Sequence, residues 1–412
     1  MGFDVFLVII QLTPFPCFRH LDCTLQPMEL KKYQTYKCKV DPDQDDKATE
    51  IKLCNFSRPH MRAFHWNWFS FFMAFCIWYA IVPLLSEIKK TLGITKQQIW
   101  TSSIVGVSST IFIRFVLGPL NDKFGPRILF TGVLCCASIP CACIGFVNSA
   151  KGLSWLRFFI GIAGGSFVMC QYWTSRMFAR EVVGTANAVA AGWGNLGAGA
   201  IQLIVGSLLF PLFKIFTNGN AEMAWRTVCI VPAVCAFTCG IVIYFVTDDA
   251  PKGNYTELKK NGLMQPVSAA ASFRSCALNL NTWIMFIHYG CCFGVELTMN
   301  NAAALYFKDK FGQSTESAAA LASIFGWMNI FARGLGGYLS DKFNARMGMR
   351  GRILIHTYML LAEGGLVLLF AHTNTLGGAI AVMIVFGIHC DAACGTSYGI
   401  VPYVDPASTG AV

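Results

Sequence analysis

Residues 114–124 read RFVLGPLNDKF, and residues 333–343 read RGLGGYLSDKF. Both fit R-x-x-x-G-x-x-x-D-K-F. Arg114, Gly118, Asp122 and Lys123 of the first copy answer to Arg333, Gly337, Asp341 and Lys342 of the second. Each copy closes an apolar run; the first follows IWTSSIVGVSSTIFI at 99–113. Five fixed positions recurring at matching places imply two halves built alike and pointing the same way. Each half carries one arginine inside an apolar segment, where a charge costs free energy. What those two arginines face decides both fold and function.

The composition states the solvent. Of 412 residues, 55% are hydrophobic, 13% are charged and 34 are Phe, with a mean hydropathy of +0.51. A soluble domain carries about 25% charged residues, so most of this surface faces lipid. Lys and Arg number 32 against 22 Asp and Glu, a net +10. In a bilayer protein that excess orients loops and is no nucleic-acid footprint. The 18 Cys show no metal-ligand spacing, and many sit in apolar runs as small hydrophobes. No nucleotide loop, metal cluster or nucleophile–base pair stands out, so neither an enzyme nor a cofactor is expected. VFLVIIQL at 5–12 is too short to span and follows the acidic Asp4, unlike a signal peptide. DPDQDDKATE at 41–50 reads as solvated, and 1–60 reads as a cytoplasmic leader.

Apolar runs long enough to cross lie near 64–85, 98–120, 127–148, 153–178, 185–213, 225–247, 281–306, 317–339, 352–372 and 375–400. Lys123, Arg127, Arg176, Arg180, Lys252, Lys259, Lys260, Arg274, Lys342, Arg346, Arg350 and Arg352 all follow even-numbered runs. The bias puts those exits and the N-terminus in the cytoplasm. The hydrophilic stretch 248–280 divides a bundle at 61–247 from one at 281–412. The two R-x-x-x-G-x-x-x-D-K-F copies then end spans two and eight, which are equivalent in two parallel six-helix halves. That is the plan of major facilitator transporters. The expected fold is an all-α membrane protein of this type, with ten of twelve spans present.

Asp122 and Asp341 mark the cytoplasmic edge. Arg114 and Arg333 lie eight residues upstream, about 12 Å up a helix, near the middle of a hydrocarbon core about 30 Å thick. A charge there costs about 2.5–3.5 kcal/mol on insertion scales. Two arginines facing one cavity make an anion site, since planar guanidiniums suit planar oxyanions. The competing reading neutralises each with a buried carboxylate, for which Glu296, Glu363 and Asp391 are available. At the edge, Asp122 with Lys123 and Arg127, and Asp341 with Lys342, are expected to pair as a cytoplasmic gate or to act as topology anchors.

Span five contains AAGWGNLGAG at 190–199. Gly192, Gly194, Gly197 and Gly199 admit another helix or a ligand to the backbone. Asn195 could donate to an anion or tie two helices together. AGWGNLG resembles the signature of the nitrate/nitrite porter family of the major facilitator superfamily. So do GSFVMCQYW at 165–173, HYGCCFGVELTMNNAAALYF at 288–307, TDDAPKGNY at 247–255 and GIVPYVDPASTGAV at 399–412. Together they resemble the eukaryotic high-affinity nitrate transporters over roughly residues 60–412.

The resemblance implies a plasma-membrane transporter that binds nitrate between its halves. Arg114 and Arg333 match the family's paired arginines and Asn195 its signature asparagine, with Gly192 beside it. Phe167, Tyr289 and Phe293 match its aromatic lining. Nitrate and nitrite are the implied substrates, and a small accessory membrane protein is an implied partner. The family has twelve spans and a second signature in span eleven; this sequence is expected to lack both. Anion uptake against an inside-negative potential needs more than one proton per nitrate. Glu296, His288, His389 and Asp391 are candidate carriers on chemistry alone. Nitrate/nitrite exchange and a nitrate receptor are the alternatives.

Overall fold

In lipid, a run of about 20 apolar residues satisfies its backbone groups by folding as a helix. A computed structural model describes residues 35–262 and 269–404. Ten helical rods run through it: α1 His60–Leu92, α2 Lys96–Phe124, α3 Pro126–Phe146, α4 Ala150–Met177, α5 Val183–Phe216, α6 Ala221–Val246, α7 Leu280–Phe311, α8 Thr315–Met347, α9 Met349–Ala371 and α10 Leu376–Tyr398. Among the described residues, all but α7 are long and apolar enough to cross a membrane. α7 has 32 residues, but His288, Glu296, Asn300 and Asn301 interrupt its apolar run. That polarity marks it as a wall of the interior.

The helix starts are written locally. Thr95 and Gln98 form a capping box ahead of α2, the T-x-x-Q pattern. Ser149, Ser314 and Thr375 cap α4, α8 and α10 by accepting backbone N–H groups of their first turns. Breaks have causes too. α1 tightens to a 3-10 turn at Val82–Leu84, around Pro83. α5 widens to a π-helix over Gln202–Leu209.

α5 is the seam. One of its faces packs on α1 and another on α8. The glycines divide between them: a β-carbon on Gly194 or Gly197 would strike Phe71 or the Phe72 carbonyl of α1. On Gly192 it would lie 2.6 Å from the Asn329 carbonyl, and on Gly199 2.7 Å from the Gly326 Cα, both in α8. The smooth surface seen in the sequence is therefore filled by helices on both sides. α2 packs on α4 and α3 on α6 in the first half, while α8 and α9 pack on α10 in the second.

The leader departs from its expectation as a solvated segment. Within residues 35–59, β1 Val40–Asp41 pairs antiparallel with β2 Lys47–Ala48. Ala48 is fully buried and bridges to Phe178, and the Lys47 ammonium donates to the Ser175 carbonyl at 3.0 Å. The chain leaving α4 offers unpaired backbone groups, and the leader supplies partners. Residues 1–34 of the leader, 263–268 of the linker and 405–412 of the last motif lie outside the described residues.

Candidate functional site

Arg114 and Arg333 meet at one ring. The Arg114 guanidinium carbon lies 5.7 Å from the Phe293 centroid and 5.5 Å from that of Phe167. The Arg333 carbon lies 6.0 Å from the Phe293 centroid. Phe293 and Tyr289 sit one helical turn apart on α7 and stack at 5.2 Å. Phe167 of α4 faces both, at 6.5 and 6.3 Å. Helices from both halves thus bring five predicted residues together.

The two arginines have different partners. Arg333 is fully buried and every nitrogen is engaged. Its Nε donates to Asn329 Oδ1 at 2.8 Å and its Nη1 to the Tyr398 hydroxyl at 3.1 Å. Its Nη2 is ion-paired with Glu296 and lies 3.9 Å from Asp391. Arg114 donates from Nη2 to the Gly164 carbonyl at 3.2 Å, and its Nε has no partner. The neutralised-arginine reading, which the sequence placed second, therefore holds for Arg333 in this state. Arg114 keeps the open-cation role: no carboxylate among the described residues stands within ion-pair distance of it. The cause is geometric, since Glu296 faces α8 across the same turn of α7 that carries Phe293 toward α2.

Two carboxylates, Glu296 and Asp391, stand at Arg333, and Glu363 is a third buried carboxyl in the same half. Glu296 and Asp391 are fully buried, and both oxygens of Asp391 and of Glu363 lack hydrogen-bond partners. His288 lies 5.4 Å from the His356 ring, with its Nδ1 unpartnered. His389 turns back to the Val385 carbonyl at 2.9 Å. Asn195 is buried, donates to the Ala191 carbonyl of its own helix at 2.9 Å and leaves its oxygen unpartnered. In this conformation it touches neither option foreseen for it. Gly192 abuts Asn329 and the Arg333 side chain, beside the site.

The expected gate pairs are not formed. Consecutive residues on a helix do not face each other, so Asp122 turns from Lys123 and accepts from the Tyr172 hydroxyl at 2.9 Å. Lys123 lies over the Phe124 ring. Arg127 instead meets Asp249 of the TDDAPKGNY motif at 3.8 Å and donates to the Tyr244 carbonyl at 2.7 Å. Burial pushes the Asp249 carboxyl above its ordinary range, although Arg127 opposes the shift. Asp341 pairs with Arg352 at 2.7 Å and not with Lys342, which lies over Tyr338. Gly118 precedes Asp122 by a turn, and Gly337 faces Ala188 of α5. Neither ion pair joins one half to the other: Arg127 reaches the stretch that follows its own half, and Asp341 pairs within the second.

Charged contacts between halves gather at the opposite end. Lys308 of α7 pairs with Glu87 of α1 at 2.8 Å and bonds Thr315. Lys96 meets Asp309 at 2.6 Å. Deeper, Arg157 of α4 donates to Asn301 of α7 at 2.8 Å. Sequence reasoning missed Tyr398, Asn329 and Arg157. Arg157 carries the signal that found Arg114, a lone arginine in an apolar run; Asn329 stands one turn before Arg333, while Tyr398 has no local mark.

Residues 68–408 match the model of the Major Facilitator Superfamily. The chain is 39% identical over 372 residues to "High-affinity nitrate transporter 2.3" of Oryza sativa subsp. japonica, covering 90% of this chain and 72% of that one. It is 36% identical to "High affinity nitrate transporter 2.5" of Arabidopsis thaliana, covering 90% and 73%. Its fold superposes on a bacterial homologue of the human lysosomal transporter Spinster with a TM-score of 0.64 at 16% identity, over 86% of this chain and 78% of that one. The chain belongs to the eukaryotic high-affinity nitrate transporter family of the Major Facilitator Superfamily.

Proposed function

We propose that this chain carries nitrate, and nitrite as a related substrate, across the plasma membrane with protons by alternating access. The moving bodies are the halves at 61–247 and 281–412, joined by 248–280, with the N-terminus in the cytoplasm. The end closed by Glu87–Lys308 and Lys96–Asp309 is then the outer one, and the state described is closed to the outside.

The observation that carries the reading is the asymmetric pair on Phe293: a cation without a carboxylate, Arg114, beside a cation held by one, Arg333. A planar oxyanion fits between two guanidinium forks, with Phe167, Tyr289 and Phe293 setting its plane. It competes with Glu296 for Arg333. A proton on Glu296 removes that competitor, so anion and proton bind together. One proton per nitrate is electrically neutral and draws nothing from the membrane potential. A second, for which Asp391 is the nearest group, adds about 2.3 kcal/mol per 100 mV. His288 and His389 stand outside this cluster of partners and rank behind it. Exchange of nitrate for nitrite needs no proton carrier and leaves the unpartnered carboxyls of Asp391 and Glu363 without a role. A small accessory membrane protein remains the proposed partner.

Tracer nitrate uptake by the full-length protein in cells lacking their own transporter tests the reading. Saturable uptake, lost in Arg114→Ala at equal surface abundance, is expected. Equal uptake by parent and variant contradicts the site.

A further inference from the structure

Arg157 is a third intramembrane cation, outside the pair described above. It is 4% exposed. Its Nη1 donates to Ser102 and Ser103 of α2, at 3.1 and 2.8 Å, and its Nη2 to Asn301 of α7, at 2.8 Å. Each of these acceptors is neutral. A buried charge normally has an ionic partner, because desolvation costs several kcal/mol. Beside Asn301 on α7, both side-chain polar atoms of Asn300 are buried without a hydrogen-bond partner, as is the oxygen of Gln202, whose amide donates to the Asn300 carbonyl at 3.2 Å.

The position is between gate and centre. Arg157 lies seven residues into α4, about 10 Å below the end closed by Lys308 and Glu87. Along α2, Ser103 precedes Arg114 by eleven residues, about 16 Å. Arg157 and its two serines belong to one half and Asn301 to the other. When the halves part at this end, Asn301 leaves with α7. The guanidinium stays on its serines with Nη2 free and facing the opened path.

We propose that Arg157 forms a second binding site for a small oxyanion, which captures the substrate from the outer path before it reaches Arg114 and Arg333. Asn301 occupies that site in the closed state, as a neutral stand-in that an incoming anion replaces. The inference rests on the anion-transport reading and adds a station to it. It differs from a bolt that merely closes the gate, because a bolt needs both partners equally and a capture site needs only the arginine.

Nitrate uptake by the full-length protein, normalised to surface abundance, separates these. Arg157→Gln should raise the KM for external nitrate about ten-fold or more, the loss of a charge-assisted contact, with a smaller effect on kcat. Asn301→Ala should leave KM unchanged or lower it. A KM for Arg157→Gln within about two-fold of the parent, or equal KM increases in both variants, overturns the proposal. If Arg157→Gln does not reach the surface, Arg157→Lys carries the test: it keeps the charge but not the fork, and a parental KM would overturn the site. A parent protein with no saturable nitrate uptake overturns this site and the transport reading together, whereas parental uptake with an unmoved KM in the Arg157 variants overturns this site alone.

Discussion

Arg333 and Glu296 are ion-paired at zero exposure, on helices α8 and α7 of the same half. The repeat that placed Arg333 opposite Arg114 therefore does not make the two arginines equivalent. In the proposed site Arg114 is the standing charge, and Arg333 is the one whose charge can be claimed or released. An intramembrane pair of this kind is costly to break unless the carboxylate gains a proton or the guanidinium gains another anion.

Arg333→Lys should raise the KM for nitrate about ten-fold or more although charge is kept. The three nitrogens of Arg333 point at Asn329, Tyr398 and Glu296. One ammonium cannot hold that fork and also present a plane to an anion. Uptake kinetics at matched surface abundance check this, and a parental KM contradicts it.

Asn195→Ala should leave abundance near parental and abolish uptake. Its amide serves only the Ala191 carbonyl of its own helix, and its oxygen serves no one, so its loss costs the fold little. If Asn195 is instead a packing residue, abundance and uptake fall together. Surface labelling beside tracer uptake distinguishes the two.

Glu87→Lys and Lys308→Glu should each cut uptake several-fold, and the double exchange should recover at least about half of it. The pair spans the two halves at 2.8 Å with both side chains largely buried, where like charges are costly. Recovery in the double variant is the decisive outcome. No recovery means that the contact does not close the outer end.

The sequence made the scaffold legible because its signals are local. Apolar length, the capping residues Thr95, Ser149, Ser314 and Thr375, and the R-x-x-x-G-x-x-x-D-K-F repeat each act within a few turns. The site was legible in part: Arg114, Arg333, Phe167, Tyr289 and Phe293 do converge. Pairing was not legible, because partners are chosen across helices. Glu296 could as well have met Arg114, but helix rotation sent it to Arg333; Asp341 cannot face its neighbour Lys342 on one helix and meets Arg352 of the next. The glycines of α5 signalled close approach without saying to what. Arg157 was visible as a lone arginine, but its neutral partners lie on α2 and α7, far away in sequence.

The central claim is that Arg333 exchanges Glu296 for nitrate when Glu296 takes a proton. Simultaneous tracer nitrate uptake and membrane current, recorded for the full-length protein and for Glu296→Gln across external pH, test it most directly. The parent should take up nitrate with an inward positive current, and its nitrate affinity should rise as pH falls. Glu296→Gln removes the carboxylate paired with Arg333 and leaves Asp391 at 3.9 Å, so its nitrate affinity should be high and depend on pH much less than the parent's, with fewer charges moved per nitrate. Parent uptake without current, or a Glu296→Gln variant with the parental pH dependence, contradicts the account.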